Sequence, residues 1–372
     1  MNGMLISVFK FQRGLCSSLL TIFVGLTVPV PARACLWDRD TLKEETLGLK
    51  DVADIVGGRI GKHSAFFYEQ KVAYTAPLLA RPHAAPELYD DLAVAYDKLG
   101  RTDEALAVMA DKERRFPGAY TTASNTGTFY SHRGDHDRAL EHLRKALAIN
   151  PSAHFGREKY QVMLVEYLRR LAERPSCNTV DFLGLDFARQ PETSDSCERI
   201  QQKLDDFALR DGSAVRLRRA GLSDDAPVAI AGLIRFGSGD RSPHLWFALG
   251  NVLGLRGHKH LALRAYRRAE VLGHPMPARY APILLMHVAS YASRMERLGG
   301  PSALGRLWKE IGVELDGDWE RGQAWSRQQQ EHEDAELRRG HLREVAHGGL
   351  AAVALPVGVG DEADRGVEGR VR

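Results

Sequence analysis

Hydrophobic residues recur with a helical period along most of this chain. Between residues 154 and 173 apolar side chains return every three or four positions, which places them on one face of a helix. Similar patterns predict helices at residues 47–60, 64–80, 198–210, 225–236 and 278–298. We find no convincing strand pattern in the body of the protein. The sequence therefore predicts an all-α protein.

Two C-terminal segments depart from this pattern. Residues 325–345 are polar on every side, which predicts a solvated helix or a tether within a polar helical extension at 301–345. Residues 346–372 are rich in Gly, Ala and Val without a period, and we expect a disordered tail there.

A 34-residue repeat underlies the middle of the chain. The segments 96–109 and 130–143 share a Tyr, a Gly, an Asp and an Ala-Leu pair at the same spacing. Units counted from Pro86 and Tyr120 therefore follow one another with no residue gained or lost. A third unit starting at Pro243 has the same signature places and extends to residue 276.

This spacing resembles the tetratricopeptide-repeat family, whose units are pairs of antiparallel helices. The small residues at places 8, 20 and 27 would let helices approach closely, and larger residues at places 11 and 24 would fill the space between them. The resemblance implies an α-solenoid. Two places depart from the pattern: Lys112 at place 27 of the first unit and Thr126 at place 7 of the second.

The repeats predict the organisation of the chain. An N-terminal helical segment at 35–85 precedes the repeats at 86–119 and 120–153, and a capping helix extends this region to residue 173. A linker at 174–200 leads to a second helical region at 201–300, which contains the third unit at 243–276. A solenoid needs about three stacked units to bury a continuous core, so we expect the flanking helices to complete the stack.

The first 34 residues predict a secretory signal peptide. Basic residues precede an uncharged stretch at 14–28, and small residues stand before Cys35. The protein is therefore expected to be exported to the periplasm, the cell surface or the medium. The segment "ARAC" also resembles a lipoprotein box, so Cys35 is either the first residue after ordinary cleavage or a lipidated membrane tether.

Cys177 and Cys197 bracket a loop-like stretch that a disulfide could close in an exported protein. The alternative is a pair of free thiols, because the sequence does not give the Cα separation that a disulfide requires.

The charge balance argues against nucleic acid as a partner. The formal net charge is +3, and the residues before position 35 contribute three basic side chains and no acidic one. The remaining chain has equal numbers of acidic and basic residues, whereas nucleic-acid binding usually needs a basic surface.

The resemblance also implies a concave groove that binds a protein or peptide. In tetratricopeptide-repeat proteins the first helices of successive units line this groove. The matching positions here are Asp90, Val94, Asp97, Lys98, Ser124, Asn125, Thr128, His132 and Lys159. Asp90 and Val94 replace the Lys and Asn of the carboxylate-clamp members, which argues against recognition of an acidic C-terminal peptide.

No motif in the sequence indicates catalysis, a cofactor or a metal. His132 and His136 are four residues apart, but Gly134 lies between them at a predicted turn, so they would not share a helical face as zinc ligands do. There is no nucleophile elbow, phosphate loop or C-x-x-C pair. We therefore predict a binding scaffold and not an enzyme. The alternative is an all-helical enzyme or ligand-binding protein with a site between the two helical halves.

Overall fold

A computed structural model of the chain describes residues 36, 38–39, 52–152, 156–174, 181–183, 222, 225–237 and 239–339. The chain divides into two units, residues 1–30 and 31–372, and every described residue belongs to the second. The predicted signal peptide, the helix at 198–210 and the tail at 346–372 lie outside the described residues. The same is true of Cys35, Cys177 and Cys197. The described part of the chain is all-α and has no strand.

Two helices precede the repeats, α1 (Val52–Val56) and α2 (Ala65–Leu79). The Ser64 hydroxyl caps α2 by accepting a hydrogen bond from the backbone N–H of Phe67 at 3.0 Å. Lys71 on α2 donates to buried Asp38 at 2.9 Å, and Leu36 is itself fully buried. Leu36 and Asp38, which follow the predicted cleavage site, are therefore packed into the folded body.

The first two repeats form four helices, as their spacing predicts. These are α3 (Pro86–Lys98), α4 (Thr102–Arg115), α5 (Tyr120–Arg133) and α6 (His136–Ile149). Gly134 ends α5 with a positive φ of 83°, a conformation that glycine adopts without steric cost. The Asp135 carboxylate then caps α6 by accepting from the backbone N–H of Arg138.

Close contact between the two helices of a unit depends on places 8 and 24. A Cβ built on Gly127 at place 8 would lie 2.7 Å from Cγ of Leu143 at place 24. Ala93 and Met109 occupy the same places in the first unit, and both are buried. Small and large side chains therefore interlock where the repeat pattern predicts.

A capping helix, α7 (Arg157–Glu173), follows the two repeats and packs on α6. The second region continues with α8 (Ala226–Arg235), α9 (Pro243–Leu255) and α10 (Lys259–Val271), and the last two are the helix pair of the predicted third unit. The main core combines α7 to α10 with later helices and includes Trp246, Phe247 and Leu253.

The helix predicted at 278–298 is instead two helices, α11 (Pro277–Met286) and α12 (Ala289–Arg297). Val288 lies between them in an extended conformation, with φ −108° and ψ 102°. Its side chain is buried in the main core, so packing accompanies the break in the helix.

The last described helix, α13 (Leu304–Arg338), has 35 residues and covers most of the predicted polar extension. The prediction of a solvated helix or a tether at residues 325–345 was wrong for the described residues 325–339. Gly322, Ser326, Glu333 and Leu337 are buried, and a Cβ on Gly322 would lie 2.1 Å from the carbonyl oxygen of Gly57.

The polar side chains of α13 bind the backbone of the N-terminal segment. Gln323 donates to the carbonyl oxygen of Gly58 at 2.7 Å, and Gln330 donates to that of Lys62 at 2.8 Å. His63 Nδ1 lies 2.6 Å from Glu333 Oε1. Polarity here satisfies buried backbone groups and does not indicate contact with solvent.

Candidate functional site

Buried polar side chains connect the first helices of the two repeats. Lys112 on α4 donates to Asp90 Oδ2 at 2.5 Å and to Thr121 Oγ1 at 2.6 Å. Asn125 on α5 donates to the other Asp90 oxygen at 3.1 Å. Asp90, Lys112 and Asn125 are at most 3% exposed, so this network lies inside the repeat stack.

The network explains the unusual lysine at place 27 of the first unit. Burial raises the pKa of Asp90 to about 6, although the positive charge of Lys112 acts in the opposite direction. A buried lysine is tolerated only with a charge partner and hydrogen-bond acceptors, and Asp90 and Thr121 supply both. Lys112 and Asp90 therefore depend on one another.

A second buried pair connects α3 and α5 near their C-terminal ends. His132 Nδ1 lies 2.7 Å from Asp97 Oδ2, and the Thr102 hydroxyl donates to Asp97 Oδ1 at 3.1 Å. Burial acts to raise the pKa of Asp97, but attraction to His132 and their hydrogen bond outweigh it and hold this pKa below its usual value.

A third set of contacts joins α5 to the capping helix. Glu158 Oε1 on α7 accepts from the Ser124 hydroxyl at 2.5 Å and from the Tyr120 hydroxyl at 3.0 Å. Gln161 donates to Thr128 Oγ1 at 2.7 Å. Hydrogen bonds therefore join the facing sides of α3 and α5, the first helices of the two repeats, and of the capping helix α7.

Most of the predicted groove residues take part in these internal contacts. Buried residues account for six of the nine: Asp90, Val94, Asp97, Ser124, Asn125 and Thr128. The remaining three, Lys98, His132 and Lys159, are of intermediate exposure. Lys159 Nζ lies 4.9 Å from the centre of the Tyr160 ring. The structure thus brings the predicted residues onto one face, but that face is not open to solvent along its length.

The end of α8 reaches this face. Lys98 on α3 donates to the backbone carbonyl of Phe236 at 2.8 Å. The guanidinium carbon of Arg157, at the start of α7, lies 5.4 Å from the centre of the Phe236 ring. Gly232 one turn earlier packs against Arg157, since a Cβ there would lie 2.6 Å from a guanidinium nitrogen. Phe236 is therefore contacted from the helices on both sides of α5.

Comparison with known families agrees with this architecture. A tetratricopeptide-repeat family model matches residues 121–150, which lie in the second unit and span nearly all of α5 and α6. The second unit is therefore a tetratricopeptide repeat. Comparison with curated proteins gave no match.

Tetratricopeptide-repeat proteins are typically protein-binding scaffolds and not enzymes. The repeats and their helix pairs therefore support a role in protein interaction for this chain. No described helix is long and apolar enough to span a membrane.

Three histidines lie on the two helices of the second repeat. His132 on α5 pairs with Asp97, whereas His142 on α6 stacks on Tyr130 with ring centres 5.6 Å apart. His136 opens α6, and burial lowers its pKa. Among the described residues no group of three His, Cys, Asp or Glu side chains is placed to hold a metal ion.

Sequence reasoning missed a cavity in the second region. It has a volume of about 250 Å³ and lies between α1, α10 and α13, where Arg264, Arg267 and Arg268 meet Trp319. The available signal was three arginines spaced by three and four residues on α10. The sequence alone does not show which distant helix faces them.

Proposed function

We propose that the chain is an exported scaffold that binds a protein or peptide across the face formed by α3, α5 and α7. The observation that carries the proposal is the contact of Lys98 with the carbonyl of Phe236. This face already accepts a backbone carbonyl and an aromatic side chain from another part of the chain. A partner segment offering the same groups would compete for the same contacts.

The internal networks limit which residues can recognise a partner. Asp90, Asn125 and Ser124 hold the helices together and stay buried. Displacement of the end of α8, which carries both Gly232 and Phe236, would uncover the cationic side chains of Lys98 and Arg157, which flank α5. We infer that these two residues contact the partner, and that the end of α8 occupies their place when no partner is bound.

A photo-cross-linking residue tests this proposal. Placed at position 98 in cells that produce the protein, it is expected to form a cross-link to a second protein. The substitution Phe236→Asp should increase that cross-link, because a buried aromatic contact with Arg157 is lost and the end of α8 leaves the face more often. The same cross-linker at Lys309, which is exposed on α13, serves as the control.

A cross-link from position 98 to residues near 236 alone, in both the parent and Phe236→Asp, would exclude the face as a partner site. Equal cross-linking from positions 98 and 309 would show only nonspecific contact.

Export is proposed from the signal-like residues 1–34, and cleavage is expected to leave Cys35 first. The burial of Leu36 supports a boundary here, because the fold uses the residue that would come second in the mature chain. Intact mass of membrane and soluble fractions gives the N-terminus and reveals any lipid on Cys35. A mature chain that retains Met1 would overturn both export and lipidation.

A disulfide between Cys177 and Cys197 is proposed for the exported protein. Alkylation before and after reduction, followed by mass measurement, tests it. Two cysteines that react freely in native protein would contradict the disulfide.

Ligand binding between helices is a second candidate function. The cavity between α1, α10 and α13 favours it, because Val56 from the N-terminal segment closes one side and Arg268 lines another. An enzyme would need a reactive group in addition to these residues.

A further inference from the structure

The cavity between α1, α10 and α13 combines apolar walls with arginine side chains. Val56, Val271, Leu315 and the ring of Trp319 form the apolar part. Its volume of about 250 Å³ lies slightly below the range of pockets that hold drug-sized ligands, so its ligand must be small.

Two of the three arginines on α10 are already neutralised by α13. Arg264 donates to Asp318 at 2.8 Å. Arg267 binds both oxygens of Asp316, at 2.9 and 2.6 Å, and also contacts Glu270 at 2.9 Å. These residues fix α10 against α13 and have little capacity left for a ligand.

Arg268 differs from its two neighbours. Its guanidinium carbon lies 4.3 Å from the centre of the Trp319 ring, and it makes no ion pair or hydrogen bond with the described residues. The Nε atom is buried without an acceptor. Burial lowers the pKa of Arg268, although the negative charges of carboxylates such as Asp240 and Glu320 act in the opposite direction. An arginine with an unsatisfied donor beside a cavity favours an anionic ligand.

The surroundings hold this arginine in place. Trp319 packs edge-to-face on Trp246, with ring centres 5.4 Å apart, and the Trp246 indole N–H donates to the carbonyl oxygen of Asp240 at 2.8 Å. The ring under Arg268 is therefore anchored to the core. A preorganised cation loses little freedom when an anion binds to it.

We propose that this cavity binds a small organic acid whose carboxylate pairs with Arg268 and whose short apolar body packs against Val271 and Leu315. A planar carboxylate matches the fork of a guanidinium. Asp316 and Glu320 also line the cavity, and their negative charge disfavours anions that carry more than one charge. The apolar walls favour an aliphatic or aromatic body over a bare inorganic ion.

Isothermal titration of the purified protein tests the proposal with three probes: 4-methylpentanoate, phenylacetate and inorganic phosphate. At least one of the two carboxylates should bind. Its neutral amide should bind at least about tenfold more weakly, because the charged hydrogen bonds are lost. Phosphate should not bind. Arg268→Gln should weaken carboxylate binding by a similar factor. Arg279→Gln is the control, since it removes an equal charge from an exposed position on α11.

A second variant keeps the test valid if Arg268→Gln does not fold. Val271 is 51% exposed at the cavity, and Val271→Glu adds a carboxylate there with little cost to folding. It should weaken carboxylate binding and leave the thermal melt close to that of the parent. The proposal would be overturned if neither carboxylate binds, or if an acid and its amide bind equally. Unchanged binding by the folded Arg268→Gln or Val271→Glu variant would overturn it as well.

Discussion

The first two repeats and the third repeat use one packing pattern with opposite chemistry. In both regions place 8 is a close contact with place 24: a Cβ on Gly127 would meet Leu143, and one on Gly250 would lie 2.4 Å from the ring of Tyr266. At places 5 and 27, however, the first repeat has Asp90 with Lys112, whereas the third has Phe247 and Ala269.

Those paired places give the two regions different interiors. The Asp90–Lys112 pair belongs to a polar network, and Phe247 stacks on His274 with ring centres 4.2 Å apart. The repeat pattern therefore determines the contact between the two helices of a pair. The residues that face neighbouring elements differ between the two regions. Substitutions at place 8, which the regions share, and at places 5 and 27, where they differ, should separate the stability that each kind of contact contributes.

The largest expected effect is at the buried ion pair. Lys112→Met removes the charge partner of Asp90 and should lower the free energy of unfolding by about 3–5 kcal/mol. Adding Asp90→Leu should recover part of this loss, because it removes the unpaired buried acid. Denaturant unfolding measures both variants. A loss below about 1 kcal/mol for Lys112→Met would show that the first repeat does not depend on its polar interior.

A fall in pH should change the stability of the two regions in opposite directions. Burial, and then repulsion by His244, lowers the pKa of His274 to about 3, so its stabilising contribution is present above pH 6.5 and is lost as the pH falls towards 3. Between pH 7 and pH 5 this loss is about 2 kcal/mol, taking 1.36 kcal/mol per pKa unit. The raised pKa of Asp90 has the opposite sign, because its contribution is lost as pH rises through about 6.

Hydrogen exchange at the two pH values measures the difference, after correction for the intrinsic rates. Amides of α9 and α10 should lose protection at pH 5, whereas those of α3 and α5 should not. His274→Phe should reduce the change in α9 and α10. An equal loss of protection in both regions would contradict the assignment to His274.

Substitution at place 8 should change the stability of both regions in the same direction. Gly250→Ala and Gly127→Ala should each destabilise by about 1–3 kcal/mol through overpacking, partly offset by the better helix propensity of alanine. Gly254→Ala on α9 is the matched control. Its Cβ would lie 3.9 Å from Ala262 Cβ, so the change should stabilise by about 0.5–1 kcal/mol. A higher melting temperature for Gly250→Ala than for Gly254→Ala would contradict this register of the repeat.

The smallest effect is expected on the outer surface of the first region. Arg133 and Asp103 form an exposed pair at 2.8 Å between successive units. Arg133→Gln should change the free energy of unfolding by only about 0.2–1 kcal/mol, and high salt should remove the difference. A larger loss would mean that exposed pairs, and not the buried network, hold the units together.

The helix pairs could be predicted from the sequence because their packing depends on places that lie within one unit. The buried polar network could not, since amphipathic patterns assign polar residues such as Ser124 and Asn125 to solvent. Lys112 was the one visible sign, because it stands where the pattern requires a small residue. Arg268 and the buried face of α13 depend on helices far apart in sequence, which a local pattern does not identify.

The contacts between α13 and the N-terminal segment also bear on the order in which the chain can fold. The hydrogen bonds to Gly58 and Lys62 join residues 265–268 positions apart. The segment that is synthesised early therefore acquires these partners only after residues 323–330 have been made. Local helix pairs such as α5 and α6 have no such delay, because their contacts need only about 30 residues. Within the described part of the chain, the long polar helix thus joins the N-terminal segment by a late and large loop closure.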